Sequence, residues 1–210
     1  MIIAFIGMPG AGKSLATETL KQEGIPVIHL RPVIEEECRR RGLPINNKTL
    51  REVATDLRER YGRDVVIRRA IPQIDEAYRK GPVGVDSLKS PEEVSYLRKK
   101  GYEVALIAIH ASPTTRFERI KERGLQWDPK ELEEFNWRDQ MELNWGLGNL
   151  IAQADTMLVN EFSPEALVRT VRQLLSLIKK IGVNTKSVSP AGASVGFYPG
   201  KREVGSEFRD

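Results

Sequence analysis

Cysteine and long apolar runs are nearly absent from this sequence, and both absences exclude classes of protein. Cys38 is the one cysteine among 210 residues, so no internal disulfide can form and a reducing compartment is expected. No apolar run approaches the roughly 20 residues of a membrane span, and the first residues have a strand pattern rather than that of a secretory signal. The sequence therefore predicts a cytoplasmic globular protein without a membrane partner.

A strong charge of one sign is also missing. The 33 Lys and Arg residues exceed the 29 Asp and Glu residues by only four. This mild excess does not by itself argue for a nucleic-acid partner, and phosphate ligands would account for part of it. A length of 210 residues, with 40% apolar and 30% charged residues, suits one α/β domain with an insertion or a lid.

The first fourteen residues contain the most specific pattern of the chain. A short apolar run, residues 2–6, predicts a buried strand, and a helical pattern follows from residue 13. The eight residues from Gly7 to Ser14 fit the phosphate-binding pattern G-x-x-x-x-G-K-[ST]. These predicted ATP-binding residues are Gly7, Met8, Pro9, Gly10, Ala11, Gly12, Lys13 and Ser14.

The chemistry of a polyphosphate explains this pattern. Glycines let the backbone N–H groups point inward at the phosphates, and the start of the helix adds its positive dipole end. Lys13 is expected to reach the outer phosphates, and the Ser14 hydroxyl to hold Mg²⁺. The alternative is an ordinary glycine-rich turn, but a chance match of four fixed positions in a chain of this length is below about one per cent.

Alternating strand and helix patterns predict an α/β fold: a five-stranded parallel sheet with helices on both faces. The strand patterns cover residues 2–6, 26–29, 82–86, 102–110 and 156–159. Three helical patterns separate the second and third strands, where a crossover needs only one, so a helical acceptor-side subdomain is expected at 31–80. The polar segment 124–148, which holds all three tryptophans, has the character of a lid. We expect a P-loop domain over 1–181 and a flexible tail over 182–210.

A carboxylate ends the third strand pattern. Magnesium beside a bound triphosphate needs such a carboxylate near Ser14, and the carboxyl ends of parallel strands lie at one edge of the sheet. Ser14 and Asp86 are therefore the predicted metal ligands. The alternative is a helix-capping or surface role for Asp86.

Three arginines, Arg116, Arg119 and Arg123, recur at three- and four-residue spacing, so they share one face of a predicted helix. One interpretation is a solvated basic face. We favour guanidinium groups that stabilise a transferring phosphate, because a segment of lid character follows. Arg138, inside that segment, would join them when the lid closes and excludes water.

The loop and its helix resemble the P-loop nucleotide kinase superfamily, which includes adenylate kinase and dephospho-CoA kinase. Residues 117–123 look like the arginine-bearing start of the lid in these enzymes. Residues 154–161 are similar to the last-strand segment of dephospho-CoA kinases, which implies that Asn160 lies near the base. The chain looks most like an archaeal family of nucleotide kinase homologues, over about residues 1–181. The segments that carry this match are 7–10, 86, 90–94, 109–113, 116–119 and 145–148.

The acceptor side departs from the pattern of these kinases. They usually carry an Asp after the second strand and an Arg three residues later, positions occupied here by Pro32 and Glu35. Lys89 stands where an Arg is typical, and lysine keeps the charge without the bidentate fork. The resemblance leaves Arg31 and Lys89 as the acceptor-side cations.

These residues predict an ATP-dependent phosphotransferase of nucleoside monophosphate kinase type that uses Mg²⁺ and a small nucleotide-like acceptor. The predicted catalytic residues are Lys13, Arg119, Arg123 and Arg138. One alternative is a dephospho-CoA kinase-like enzyme, which would need a general base that the missing Asp does not supply. Another is an ATP-binding switch or slow ATPase that acts through a partner. The acceptor, the choice of ATP over GTP and the oligomeric state do not follow from the sequence.

Overall fold

A computed structural model describes residues 1–126 and 128–185 of the chain. Its strands are β1 (Ile2–Ile6), β2 (Val27–His29), β3 (Val83–Asp86), β4 (Val104–His110) and β5 (Thr156–Val159). Its helices are α1 (Lys13–Gln22), α2 (Arg31–Arg40), α3 (Asn47–Tyr61), α4 (Val65–Lys80), α5 (Pro91–Lys99), α6 (Pro113–Arg123), α7 (Leu132–Asn144), α8 (Leu147–Ala152) and α9 (Pro164–Thr185).

The five strands form one parallel sheet in the order β2-β3-β1-β4-β5, which confirms the predicted fold class. The central strand β1 is buried along its whole length, as its unbroken apolar sequence requires when both faces of a sheet are covered. His29 lies beside Asp86 in the β2–β3 register, and His110 beside Val159 in the β4–β5 register. The carboxyl ends of all strands therefore meet at one edge, the edge where α/β proteins bind ligands.

Local sequence signals set the starts of the helices. The Asn46 side chain accepts a hydrogen bond from the Thr49 amide at the start of α3, and the Ser112 side chain accepts one from the Thr115 amide at the start of α6. In α5, the Glu93 carboxylate accepts hydrogen bonds from the amides of Lys89 and Ser90. These contacts satisfy backbone amide groups that the starts of the three helices would otherwise leave free.

Helices α2, α3 and α4 form the expected insertion between β2 and β3. Their buried apolar side chains belong to the same core as β1 and β3, and Cys38 is among them. Leu57 of α3 and Ile74 of α4 are fully buried there. The insertion therefore has a fixed packing against the sheet, which positions its α2 and α3 side chains for the site described below.

The segment 124–148 is more regular than its polar composition indicates. It contains all of α7, and α8 begins at Leu147, inside the expected lid. Of α7, only Phe135 and Glu142 are buried, so the helix lacks the broad apolar stripe that reveals a helix in a sequence. Trp127 lies outside the described residues. The role of this segment as a lid stays a prediction.

The chain divides into two units, Met1–Leu174 and Leu175–Asp210. Helix α9 extends to Thr185, so the expected boundary at residue 181 falls within a helix. The rest of the predicted tail, residues 186–210, lies outside the described residues. Within the part of the chain that the structure describes, no helix is both long enough and apolar enough to span a membrane.

Candidate functional site

The loop between β1 and α1 has the backbone conformation that phosphate binding requires. Gly7 and Gly12 have φ angles of +152° and +107°, which strongly favour glycine. A Cβ atom on Gly7 would collide with the backbone oxygen of Ile109, and one on Gly12 with the side chain of Asn160. Because α1 begins at Lys13, its free amide groups and its dipole point at the loop.

Two side chains from distant parts of the chain hold this loop. Arg116 of α6 donates from Nη1 to the Pro9 carbonyl at 3.1 Å. Asn160, directly after β5, donates from Nδ2 to the Ala11 carbonyl at 2.9 Å. Both are buried, so the loop is preorganised by its surroundings as well as by its glycines.

The Lys13 ammonium group lies at the centre of the site. It donates hydrogen bonds to the carbonyl oxygens of Gly7 at 2.7 Å and Met8 at 3.0 Å. The Lys13 side chain therefore folds back over its own loop. Burial lowers the pKa of Lys13 to about 8, and the positive charge of Lys89 adds to this decrease, while Glu142 and Asp86 oppose it. Charged side chains from β3, from the loop after β3 and from α7 therefore all act on this lysine.

The predicted metal ligands have the right chemistry for Mg²⁺. Ser14 is exposed, and its hydroxyl has no hydrogen-bond partner among the described residues. One carboxylate oxygen of Asp86 makes no hydrogen bond within the described residues, and the other lies 3.0 Å from His29 Nδ1. A hydroxyl and a carboxylate are hard oxygen donors, and Mg²⁺ commonly combines one or two such groups with substrate phosphates and water. The two residues therefore fit a magnesium ion held largely by a bound nucleotide.

A cleft of about 200 Å³ lies between the helical insertion and α7. Its lining carries three guanidinium groups, one amide and one carboxylate. The lining residues are Arg31, Ile34, Asn47, Leu50, Arg51, Arg138, Met141, Glu142 and Trp145. The insertion thus borders an open, largely cationic space, as expected for an acceptor side.

The two predicted acceptor-side cations are both paired. Arg31 lines the cleft, and its Nε donates to Glu35 at 2.7 Å. Lys89 Nζ lies 2.7 Å from Glu142 Oε2, and both side chains are mostly buried. Although burial raises the pKa of Glu142, the charges of Lys89 and Lys13 outweigh it, and the net pKa is lowered. Glu142 is therefore an ionised carboxylate that lines the cleft and lies within the electrostatic reach of Lys13.

The expectation that Arg116 faces a transferring phosphate is wrong. Its side chain is 4% exposed and forms a two-point ion pair with Asp139 of α7, at 2.6 and 2.9 Å. Together with the bond to Pro9, this pair links α6, α7 and the phosphate loop. Arg116 Nε also donates to the Ala111 carbonyl at 3.2 Å. A guanidinium committed to these three partners serves the architecture of the site and is unavailable to a substrate.

The other predicted arginines separate into two groups. Arg119 donates to the backbone oxygens of Asn160 and Phe162, so it fixes the loop after β5. Arg123 forms a two-point pair with Asp128, which also lies 3.5 Å from Arg138. Only Arg138 lines the cleft, because it lies on α7 while the others lie on α6. The structure thus brings Arg138, and neither Arg119 nor Arg123, to the cleft.

Asn160 contacts the phosphate loop. Its buried side chain is bound to the Ala11 carbonyl, and its own carbonyl accepts from Arg119. The residue therefore braces the phosphate loop. That its segment lies near a nucleotide base stays a prediction.

Comparison with known proteins agrees with this geometry. Residues 3–136 match the family described as AAA domain. A UPF0200 protein of Hyperthermus butylicus is 44% identical over 176 residues, which cover 84% of this chain and 94% of the relative. A UPF0200 protein of Thermococcus onnurineus is 38% identical and covers 85% and 98%, respectively. The chain belongs to the UPF0200 family.

Solved structures show the fold of this UPF0200 chain. A gluconokinase from Sinorhizobium meliloti 1021 superposes with a TM-score of 0.55 at 16% identity, covering 89% of this chain and 97% of the other. The protein TT1252 from Thermus thermophilus gives 0.54 at 22% identity, covering 84% and 96%. The fold is thus that of the P-loop kinases, as the resemblance of the sequence implied.

Two residues of this UPF0200 site were missed by the sequence analysis, Glu142 and Arg51. Glu142 lies four residues after Arg138, which places the two side chains on one face of a helix. That spacing was a usable signal, but it has meaning only once the segment is known to be helical. Arg51 lies on a helix that the sequence predicted, yet nothing local distinguishes it from other surface arginines.

Proposed function

We propose that this protein is an ATP-dependent phosphotransferase of nucleotide kinase type, which moves the γ-phosphate to a small nucleotide-like acceptor. The observation that carries the proposal is the position of Lys13. It belongs to the phosphate loop, and it lies within the electrostatic reach of Lys89 and Glu142 at the border of the acceptor cleft. A donor loop whose lysine lies within the electrostatic reach of cleft residues Glu142 and Arg138 supports transfer between two bound molecules.

The residues present would act mainly by position and charge. The loop amides and Lys13 would hold the triphosphate, with Lys13 moving from its loop carbonyls to the phosphates. Ser14 and Asp86 would hold Mg²⁺, which supplies charge neutralisation when it is bound. Arg138 would stabilise charge on the transferring group, since it lines the cleft and its Nη1 makes no hydrogen bond in the described chain, only a 3.5 Å ion pair with Asp128.

A second candidate is an ATP-binding switch or slow ATPase that acts through a partner. The ion pairs of Arg31 with Glu35 and of Lys89 with Glu142 favour it, because they occupy the cations expected to bind an acceptor. In a kinase, these pairs would exchange partners when the acceptor enters.

The experiment compares Lys13→Ala with Lys21→Ala, an exposed lysine on the same helix. Loss of a charge-assisted contact to phosphate should weaken Mg·ATP binding at least about tenfold in Lys13→Ala, and the control should bind normally. Calorimetric titration measures both affinities. Equal affinity for all three proteins would contradict the donor site.

A coupled assay then offers Mg·ATP with nucleoside monophosphates, dephospho-CoA and small hydroxy acids. Turnover that depends on one acceptor supports the kinase. Hydrolysis of ATP that no acceptor changes supports the switch.

A further inference from the structure

The acceptor cleft contains one carboxylate among its described lining residues, that of Glu142. It comes from α7, one helical turn after Arg138, and its side chain is 11% exposed. Lys89 Nζ lies 2.7 Å from Oε2. The positive charges of Lys13, Arg138 and Arg51 also interact electrostatically with this carboxylate. A carboxylate thus stands where the acceptor must meet the terminal phosphate.

This position is unfavourable for a phosphate acceptor. The terminal oxygens of a nucleoside monophosphate already carry negative charge, so they have no proton to give up before attack. An ionised carboxylate beside them would add repulsion at the point of bond formation. A hydroxyl acceptor has the opposite need, since its proton must leave as its oxygen attacks.

Other carboxylates are less suited to this task. Asp86 lies at the end of β3, is held by His29 and is placed to serve the metal. Glu35, at the position where related kinases were expected to carry an arginine, is bound by Arg31. Glu142 alone combines access to the cleft with closeness to Lys13.

We propose that Glu142 is the general base of the reaction and that the acceptor is an alcohol. Its carboxylate takes the proton of the acceptor hydroxyl while that oxygen forms the new bond to the γ-phosphorus. The bond between the γ-phosphorus and the β–γ bridging oxygen breaks, and its electron pair leaves with ADP. The products are a phosphomonoester, ADP and a protonated Glu142, which then releases the proton to solvent. This assignment rests on the proposed function and specifies its acceptor.

A second lining residue, Arg51 of α3, indicates a further property of the acceptor. Arg51 makes no hydrogen bond or ion pair within the described residues, and its guanidinium carbon lies 5.7 Å from the centre of the Trp137 ring. Burial and the neighbouring Arg138 lower the pKa of Arg51, and the charge of Glu142 opposes this decrease only in part. An anionic group would compensate the charge of Arg51. The acceptor is therefore an alcohol that also carries a phosphate or a carboxylate.

The test replaces Glu142 with Gln and uses Glu133→Gln, an exposed glutamate in the first turn of the same helix, as the control. With Mg·ATP and an alcohol acceptor, Glu142→Gln should lower kcat about 10²-fold. Water serves as the acceptor in the basal ATPase, where we expect a decrease of at least about tenfold. The affinity for ATP should stay close to that of the control. The melting temperature should fall, because Lys89 loses its buried partner, so the rates are compared at a temperature at which both variants are folded.

Chemical rescue separates a base from a structural ion pair. Formate should restore part of the turnover of Glu142→Ala, whereas chloride at equal ionic strength should not, because only formate can accept a proton in the vacated space. Phosphorus NMR of the product identifies a monoester. Dephospho-CoA and AMP carry an alcohol with a phosphate and D-glycerate an alcohol with a carboxylate, so these three substrates distinguish the two anionic groups.

Three results would overturn the assignment: a phosphoanhydride product, a Glu142→Gln protein as fast as the control or faster, or bound ATP that neither water nor any alcohol attacks. Failure of the wild-type protein to bind Mg·ATP is a different result, because it removes the proposed function itself.

Discussion

Gly12 shows how closely one position can be constrained. Its φ of +107° excludes most side chains, and a Cβ there would also meet the Asn160 side chain and Leu167. Gly24 also has a positive φ, +77°, but nothing lies within 4 Å of its Cβ position. Substitution of Gly24 therefore tests backbone strain alone, whereas substitution of Gly12 tests backbone strain together with steric conflict at the phosphate loop.

We expect Gly24→Ala to cost about 1 kcal/mol in the free energy of unfolding, since only backbone strain is added. Gly12→Ala should cost about 2–4 kcal/mol, because steric conflict adds to the strain, and it should weaken Mg·ATP binding. Urea unfolding and calorimetric titration measure the two effects. If both variants lost the same stability and kept ATP affinity, Asn160 would have moved away at no cost, and its bracing role would be wrong.

One buried carboxylate links two elements of the helical insertion. Glu37 of α2 accepts hydrogen bonds from Arg40, the last residue of α2, and from Arg41, which follows it. It accepts another from Arg69 on α4. The hydrogen bond from Arg40 is the largest cause that lowers the pKa of Glu37 from 4.5 to about 2, while burial opposes the decrease. The folded protein therefore binds this proton more weakly than the unfolded chain.

Stability from Glu37 should thus be fully present above pH 4.5 and should be lost as the pH falls through about 2. Glu37→Gln should lower the free energy of unfolding by about 2 kcal/mol at neutral pH and should flatten its dependence on pH in that range. Glu36→Gln, an exposed neighbour that pairs with Arg39, is the matched control. Denaturant unfolding from pH 7 to 2 measures both. Equal acid dependence in the two variants would contradict the role of Glu37.

At the scale of the whole molecule, every residue assigned to the site lies in the first unit, Met1–Leu174. The UPF0200 relatives align over 176 and 181 residues, which are 94% and 98% of their own lengths. A chain that ends at Thr185 should therefore bind Mg·ATP within about twofold of the full chain, because it keeps all elements that build the loop. A tenfold loss of affinity would show that residues 186–210 contribute to the site.

Features encoded by neighbouring residues were predicted well. The phosphate loop, the five strands and the position of Asp86 all depend on short, contiguous patterns. The contacts of Arg116 and Asn160 were not foreseeable, since Arg116 lies 107 residues from Pro9 and Asn160 lies 149 residues from Ala11. The three- and four-residue spacing along α6 indicated one shared role for three arginines, whereas each has different partners in the folded chain.

The sequence by itself determined the loop of the proposed donor site, because a glycine-rich loop between a strand and a helix is built from consecutive residues. Only the tertiary structure decided the cleft proposed to bind the acceptor. There, α2, α3 and α7 come together from more than a hundred residues of chain, and their packing sets which charges face each other. The neighbours of a charged side chain are set by folding, so the position of Glu142 beside Lys89 and near Lys13, on which its proposed role depends, does not follow from its place in the sequence.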